Sequence, residues 1–187
     1  MDKLNIIVIE GTKRTERLSI TAAKYVFEVG KTIPEIEVTF VDPLDFTLTP
    51  EGHNPQDKDP KFSELTAKAD GFFIVTPEYN HSYPGTIKRL LDSEYENFHH
   101  KALGLGGVSN GPWGGVRCIE ALNQVAKALG LSTLRKDVQF PFIQDIFDEN
   151  GKPKDSSYEA RVRGVYSELI WTAKSLKYGR DNFPVTN

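Results

Sequence analysis

The stretch from Thr76 to Asn80 (TPEYN) contains residues suited to holding a flat, partly polar ring. It follows the apolar run from Phe72 to Val75 and ends near a Pro84-Gly85 turn. Because Pro77 has no backbone N–H for a strand ladder, the amides after it are expected to turn outward. Together with a tyrosine and an asparagine, these amides match the edge of a heterocycle. An ordinary strand-to-helix connection is the alternative.

A second stretch, from Gly11 to Ser19 (GTKRTERLS), is suited to a phosphate monoester. It combines hydroxyl groups and two arginines with the amides of a predicted helix start, and all three kinds of group bind anions. Neither the Walker pattern nor GxGxxG fits the residues after Gly11. A helix-capping turn with solvated charges is the alternative.

A third stretch, from Ser109 to Gly115 (SNGPWGG), offers exposed amides and one large flat side chain. Asn110 and Gly111 come directly after a predicted strand, where a ligand ring would approach. Trp113 is compatible with two roles, as a core anchor or as a neighbour of the ligand.

Other kinds of chemistry find little support. His99-His100 has no third ligand at a recognisable spacing, so no metal site is expected. No nucleophile triad and no readable pair of carboxylates indicates hydrolysis. His81 is placed to meet a substrate, although a surface role is favoured. Cys118 is the only cysteine, which predicts a buried thiol and a reducing, cytoplasmic setting.

The charge balance excludes several partners. The chain of 187 residues has 23 basic and 26 acidic residues, a net charge of −3 and a pI near 5.8. No cluster of lysine or arginine indicates nucleic-acid binding. No run of apolar residues is long enough for a membrane span, and no signal peptide is recognisable at the start. We therefore expect neither a nucleic-acid nor a membrane partner.

Alternation of strands and helices predicts the elements that position these loops. Continuous or alternating apolar runs predict five strands, at Leu4–Ile9, Ile36–Val41, Phe72–Val75, Lys101–Val108 and Thr133–Phe140. Apolar positions at helical spacing predict helices over Leu18–Gly30, Phe62–Ala69, Ile87–Phe98, Leu122–Leu129 and Tyr158–Leu176. The segments Pro43–Pro60 and Pro141–Asp155 are predicted to be irregular.

This alternation predicts one α/β domain over residues 1–187, with a doubly wound five-stranded parallel sheet in a three-layer αβα arrangement. In a sheet of order 2-1-3-4-5, the loops after the first, third and fourth strands meet at one edge. The first loop offers an anion site and the other two offer a shelf for a heterocycle. A phosphate joined to a ring by a polar chain fits this layout, and FMN is the leading candidate.

Three motifs resemble the NADPH-dependent FMN reductase family. They are TPEYNHSYPG at 76–85, GTKR at 11–14 and GGVR at 114–117, and the resemblance extends from about Leu4 to Gly130. That family has a flavodoxin-like fold and includes quinone, azo-dye and chromate reductases. The resemblance implies FMN as cofactor, NADPH or NADH as co-substrate, and a homodimer or homotetramer.

The resemblance also implies roles for individual residues. Residues of the first loop would hold the phosphate, namely Gly11, Thr12, Arg14, Arg17 and Ser19. Residues of the second loop would meet the ribityl chain and the ring, mainly through their backbone, namely Pro77, Glu78, Tyr79 and Asn80. Asn110 and Gly111 would approach the ring from the other side. No side chain is identified as catalytic, because hydride delivery to flavin N5 requires no protein acid or base.

The expected activity is oxidoreduction with ping-pong kinetics, from a nicotinamide through FMN to a small acceptor. Quinones, azo compounds, metal oxyanions and free flavin are the acceptor classes implied. One rival function is that of an FMN-binding electron carrier that does not oxidise NAD(P)H, although such carriers tend to be more acidic. A second rival is a binding module without flavin. The apolar residues Leu90, Leu91, Tyr95 and Phe98 are expected at a subunit interface or in the core.

Overall fold

Within residues 3–48 and 58–183, which the computed structural model describes, six parallel strands form one sheet. The strands are β1 (Leu4–Glu10), β2 (Ile36–Val41), β3 (Gly71–Pro77), β4 (Ala102–Val108), β5 (Ser132–Thr133) and β6 (Val138–Phe140). Their order is β2-β1-β3-β4-β5, and β6 also pairs with β4. The predicted order 2-1-3-4-5 is therefore confirmed, and the architecture is the flavodoxin-like one.

The predicted fifth strand, Thr133–Phe140, is wrong as a single element. Ser132 pairs with Ala102 and Val138 pairs with Gly106, so the outer chain is longer than the segment of β4 that it accompanies. The surplus residues leave the sheet between β5 and β6. They include three charged side chains, Arg135, Lys136 and Asp137, which are solvated more readily outside a sheet than within it.

The helices occupy the predicted positions with shifted ends. They are α1 (Ser19–Lys31), α2 (Pro60–Lys68), α3 (Gly85–Asp92), α4 (Val116–Ala128), α5 (Ile143–Ile146) and α6 (Ser157–Asn182), with short 3₁₀ turns at Pro43–Asp45 and Glu96–Phe98. The helix predicted to reach Phe98 ends at Asp92. The short helix α5 lies in a segment predicted to be irregular.

Apolar side chains fill both faces of the sheet. On one face α1 and α6 cover the strands, as in the contact of Phe73 with Tyr166, whose ring centroids are 5.2 Å apart. On the other face α2, α3 and α4 cover them, as in the contact of Phe72 with Phe98 at 5.1 Å. This burial on both faces explains why β1, β3 and β4 are continuous apolar runs.

The core also decides the role of four apolar residues considered for a subunit interface. Leu90, Leu91 and Phe98 are buried within a single chain, so the interface role is wrong for them. Tyr95 is exposed over 44% of its surface and makes an edge contact with the His99 ring.

A glycine on β4 lets the start of α4 approach the sheet. A Cβ atom at Gly107 would lie 2.6 Å from the carbonyl oxygen of Gly115, closer than side chains tolerate. Backbone of this strand and backbone of the Gly114–Gly115 turn are therefore in close contact. This contact fixes the loop from Ser109 to Gly115 against the carboxyl end of β4.

The segment predicted to be irregular, Pro43–Pro60, lies only partly within the described residues, and His53 falls outside them. In its described part Phe46 packs edge-on against Phe62, with ring centroids 5.6 Å apart. Across the two described ranges, the helices are all too short or too polar to cross a membrane. In the same ranges no three His, Cys, Asp or Glu side chains cluster as metal ligands would.

Candidate functional site

A cavity of about 260 Å³ lies at the carboxyl edge of the sheet, between the loops that follow β1, β3 and β4. Most of the residues predicted to bind a cofactor line it, namely Thr12, Arg14, Arg17, Ser19, Pro77, Glu78, Tyr79 and Asn110. This volume is just below the range of about 300–1,000 Å³ that is usual for small-molecule pockets. Three loops distant in sequence are thus brought together at the switch point of the sheet.

The other three predicted residues are not among those lining the cavity. Gly11 donates its N–H to Val75 O at 2.8 Å, and a Cβ atom there would lie 2.2 Å from Oγ1 of Thr76. Gly11 therefore allows the first loop to pack directly on β3. Asn80 is exposed at the tip of a tight turn. Gly111 has open space around its Cα, and its carbonyl accepts a hydrogen bond from Ser109.

One end of the cavity is polar and cationic. Thr12 is buried, and its Oγ1 accepts a hydrogen bond from the N–H of Arg14 at 3.3 Å. The same oxygen lies 3.5 Å from the hydroxyl of Tyr79, which links the first loop to the second. Arg14 is exposed and forms no ion pair with any residue that the structure describes. Its positive charge is available to a ligand anion.

The start of α1 adds to this polar end. Leu18 is the N-cap residue, and it makes no hydrogen bond to the amides of the first turn because its side chain has no acceptor. The first turn of α1 also contains no acidic residue. Leu18 and Ser19 both line the cavity. The first amides of α1 therefore border the cavity without a side-chain cap, which is the arrangement that binds anions.

A buried charged cluster lies beneath the polar end. Arg17 Nη2 forms an ion pair with Asp42 Oδ2, and Arg17 Nε lies 3.8 Å from Glu10 Oε1. Ser19 Oγ donates to Glu10 Oε1 at 2.6 Å. Burial raises the pKa of Glu10 to about 8, although the hydrogen bond from Ser19 and the charge of Arg17 act in the opposite direction.

The ring end of the cavity is shaped by backbone. Glu78 N–H donates to Val108 O at 2.8 Å, which ties the second loop to the end of β4. Tyr79 and Ser82 exchange two backbone hydrogen bonds, at 2.8 and 2.9 Å, around a two-residue turn. The two turn residues, Asn80 and His81, have φ values of 48° and 66°. Such a turn needs left-handed backbone at both positions, which asparagine tolerates.

Glu78 also joins this loop to α4. Its carboxylate accepts from Arg117 N at 3.2 Å and from Arg117 Nη1 at 3.2 Å, so it caps the first turn of α4. The Arg117 guanidinium lies 5.9 Å from the ring of Trp113. Trp113 is 62% exposed, so a role as core anchor is wrong. Cys118 is buried as predicted, and burial raises the pKa of its thiol to about 12.

Several residues of the site escaped the sequence interpretation. The lining residues not predicted are Glu16, Leu18, Val108, Ser109 and Ile143. The partners of Ser19 and Arg17 that were not predicted are the buried Glu10 and the partly buried Asp42. Glu10 could be recognised from the sequence as a residue in need of a partner, because it is charged and directly continues a buried apolar strand. Ile143 carried little signal, since it lies in a connection that is polar for most of its length.

Comparison with protein families gives one match over most of the chain. The family model described as NADPH-dependent FMN reductase matches residues 4–145. This range contains the loops after β1, β3 and β4 and also Ile143, so the whole lining of the cavity lies within it.

Individual proteins are similar to the chain at lower coverage. An NAD(P)H-dependent FMN reductase of Schizosaccharomyces pombe is 34% identical over 131 residues, which are 65% of this chain and 64% of that protein. The match thus spans just under two thirds of that relative's length. A quinone reductase of Pseudomonas putida is 22% identical over 160 residues, covering 82% of this chain and 86% of that protein.

A solved structure supports the fold. FerB, a flavoenzyme NAD(P)H:(acceptor) oxidoreductase from Paracoccus denitrificans, superposes with a TM-score of 0.71 at 21% identity. The superposition covers 91% of this chain and 98% of that one. At this identity the likeness shows the flavodoxin-like fold.

Proposed function

The chain belongs to the NADPH-dependent FMN reductase family, and from that premise we propose that it binds FMN in the cavity. The bound cofactor carries electrons from NADPH or NADH to a small acceptor. Quinones, azo compounds, metal oxyanions and free flavin are the acceptor classes that an exposed flavin reduces. The named activities of the relatives from Schizosaccharomyces pombe and Pseudomonas putida support this assignment.

The observation that carries the proposal is that Arg14, at the polar end of the cavity, forms no ion pair with any residue that the structure describes. A phosphate monoester at this end would receive hydrogen bonds from Arg14, from the Thr12 and Ser19 hydroxyls, and from the first amides of α1. Arg17 also lines this end, but its guanidinium is paired with Asp42, so it adds little net charge. The donor set therefore suits a group with two negative charges and several acceptor oxygens.

The ring and its polar chain would lie along the second and third loops. Pro77, Glu78 and Tyr79 line one side of the cavity, and Ser109 and Asn110 line the other. Because the cavity is small, these loops would leave part of a three-ring system exposed to solvent. FMN held by these residues would supply the chemistry of hydride transfer from a nicotinamide and of electron transfer to the acceptor. An accessible face shared by both substrates in turn gives ping-pong kinetics.

The protein's own contribution is binding, orientation and electrostatics. Backbone amides of the loops after β3 and β4 would stabilise negative charge on the reduced pyrimidine edge of the ring. The turn at Asn80 and His81 holds the Tyr79 backbone in place beside the cavity, where the ring would bind. We assign no side chain as a catalytic acid or base. The contacts predicted for Asn80 and Gly111 are part of this proposal.

Three further features complete the proposal. Residues 1–187 act as one FMN-binding domain, supported by a single sheet with a core on each face. The chain acts in the cytoplasm, supported by a lone buried cysteine. It forms a homodimer or homotetramer, supported by exposed apolar side chains beside the loops of the site, at Trp113, Val116 and Phe142. Light scattering during gel filtration measures the assembly.

Anaerobic mixing with NADPH tests the function. Protein reconstituted with FMN is expected to lose its visible flavin absorbance when NADPH is added and to regain it when a quinone is added. An electron carrier would keep its colour with NADPH and would lose it only with a chemical reductant such as dithionite. A folded protein that leaves FMN fluorescence unchanged would overturn the assignment as a flavoprotein.

A further inference from the structure

Glu10 is an acidic side chain with no solvent contact at the end of β1, directly beneath the cavity. Its exposed fraction is 0%. Oε1 accepts the hydrogen bond from Ser19 Oγ at 2.6 Å, whereas Oε2 is buried and has no hydrogen-bond partner among the described residues. A buried carboxylate oxygen without a partner strongly favours the protonated, neutral form of the acid.

The positive charge near Glu10 does not fully neutralise an ionised carboxylate at this position. From the first loop, Arg17 Nε lies 3.8 Å from Oε1, but the same guanidinium is paired with Asp42 at the end of β2. One positive charge is thus shared by two acids. From β3, the residue paired with Glu10 is Val75, which has no charge. The hydrogen bond from Ser19 and the nearby charge of Asp42, which disfavours a second negative charge on Glu10, complete its surroundings.

Ser19 connects this buried acid to the cavity, because Ser19 lines the cavity and contacts Glu10 at the same time. A serine hydroxyl has one proton to donate. When Glu10 is ionised it accepts only, so Ser19 must donate to it and present lone pairs to the cavity. When Glu10 is protonated it can donate to Ser19 Oγ, which frees the serine proton for a ligand oxygen.

We propose that Glu10 is a positioning residue for the Ser19 proton, so that a phosphate-bearing ligand binds tightly only while Glu10 is neutral. This inference rests on the proposed FMN site. A phosphate dianion above the cluster disfavours a second negative charge beneath it, so ligand binding and protonation of Glu10 favour each other. The pKa of Glu10 near 8 without ligand places the change just above neutral pH.

Fluorescence titration of the apoprotein with FMN between pH 7 and pH 9.5 tests this linkage. The FMN phosphate is already a dianion over this range, since its second pKa is about 6. For the wild type, the Kd is expected to rise by about 10- to 30-fold from pH 7 to pH 9.5. For Glu10→Gln, which stays neutral at every pH, a change of less than about twofold is expected. A constant wild-type Kd, or the same rise in Glu10→Gln, would overturn the proposal.

Ser19→Ala tests whether the hydroxyl transmits the effect. The affinity lost in this variant relative to the wild type is expected to be about tenfold at pH 7 and below about threefold at pH 9.5, where Ser19 no longer donates to the ligand. An equal loss at the two pH values would contradict the role given to Ser19, even if the Kd depends on pH.

Glu94→Gln is the matched control, since Glu94 is also a buried glutamate, 1% exposed, but lies away from the cavity. It accepts hydrogen bonds from Asn97, at 3.0 Å, and from Lys58 and Ser63. This variant is expected to keep the wild-type pH dependence. If its Kd no longer depended on pH, the effect would not be specific to Glu10.

Calorimetry of the wild type keeps the proposal testable if Glu10→Gln does not fold. FMN binding measured in two buffers of different ionisation enthalpy is expected to take up more than about half a proton at pH 9 and close to none at pH 7. Uptake that is the same at the two pH values contradicts the proposal. Absence of FMN binding at pH 7 contradicts the proposed function itself, so the two failures are distinguishable.

Discussion

The loops after β1 and β3 border the same cavity but are held in different ways. The first is fixed by charged side chains, with the Arg17 guanidinium between two acids and Glu10 buried beneath it. The second is fixed mainly by backbone, through the paired hydrogen bonds of Tyr79 and Ser82 and the bond from Glu78 to β4. A loop held by charge responds to pH and to anions, whereas a loop held by backbone responds to changes in conformation.

This difference follows from the part of the ligand that each loop is proposed to meet. A phosphate monoester carries two negative charges, so its binding site needs cationic groups and few ionised acids nearby. A flavin ring brings mostly neutral edges, which backbone amides and carbonyls can match without long side chains. Substitutions that change either a charge or the backbone conformation, but not both, therefore test this difference between the two loops.

The largest effect is expected where the first loop packs on the end of β3. In Gly11→Ala the new Cβ would lie 2.2 to 2.7 Å from atoms of Thr76, including its Cα, so backbone must move. We expect the free energy of unfolding to fall by about 3 kcal/mol or more, measured by urea denaturation. Gly111→Ala is the matched control, because a Cβ there meets no atom within 4 Å. Equal stability of the two variants would contradict the close contact of Gly11 with β3.

The next effect is a pH dependence of stability that comes from Glu10. Its pKa rises from 4.5 to about 8 on folding, so between these values the native state holds a proton that the unfolded state has released. Stability therefore falls as pH rises through this window. Relative to Glu10→Gln, the wild-type apoprotein is expected to lose up to about 3 kcal/mol between pH 5 and pH 8.

Urea denaturation at several pH values measures this loss, and Glu78→Gln serves as control. Glu78 has an arginine partner and a partly exposed side chain. In Glu78→Gln, the free energy of unfolding is expected to depend on pH as it does in the wild type. If Glu10→Gln also kept this pH dependence, the buried acid would not be its source.

Two arginines of the first loop are expected to differ in what they stabilise. Arg14 has no ion pair among the described residues and lines the cavity. Arg14→Ala is therefore expected to raise the Kd for FMN by about 10- to 150-fold, which corresponds to the loss of one charged hydrogen bond of about 1.5–3 kcal/mol. Its free energy of unfolding is expected to change by less than about 0.5 kcal/mol.

Arg17→Ala removes the partner of Asp42 and is expected to lower the free energy of unfolding by about 2 kcal/mol. Titration with FMN and urea denaturation of both variants separate the two roles. Unchanged FMN affinity in Arg14→Ala would remove Arg14 from the site.

The smallest effect is expected in the second loop. Glu78→Gln weakens an ion pair with Arg117, whose side chain is 41% exposed, and such pairs contribute about 0.5 kcal/mol. Since the Glu78 N–H still donates to Val108 O, the Kd for FMN is expected to change by less than about threefold. A loss of FMN affinity as large as that in Arg14→Ala would show that the second loop is also held by charge.

Much of the fold follows from the sequence because its strands are buried on both faces. The apolar runs of β1, β3 and β4 are continuous, and their alternation with helices leaves few topologies. The division of the fifth strand is marked in the sequence only by the charged residues Arg135, Lys136 and Asp137 between apolar positions. The register of its two parts against β4 has no local signal.

The site was predictable to the extent that it consists of loop motifs. The cluster of Glu10, Arg17 and Asp42 was not, because its members come together only when β2 lies beside β1. The left-handed backbone of Glu16 and Phe142, with φ of 55° and 48°, was not predictable either, because these residue types rarely adopt it. Such strain occurs preferentially where a structure positions a ligand.

Parallel fluorescence titration of the apoprotein with FMN and with riboflavin tests the central claim most directly. The two ligands share the ring and the polar chain and differ only in the phosphate, which the first loop and the start of α1 are proposed to bind. We expect FMN fluorescence to be quenched at one FMN per chain, and riboflavin to bind at least about 100-fold more weakly. Equal affinity for the two ligands, or no quenching by folded protein, would contradict the account.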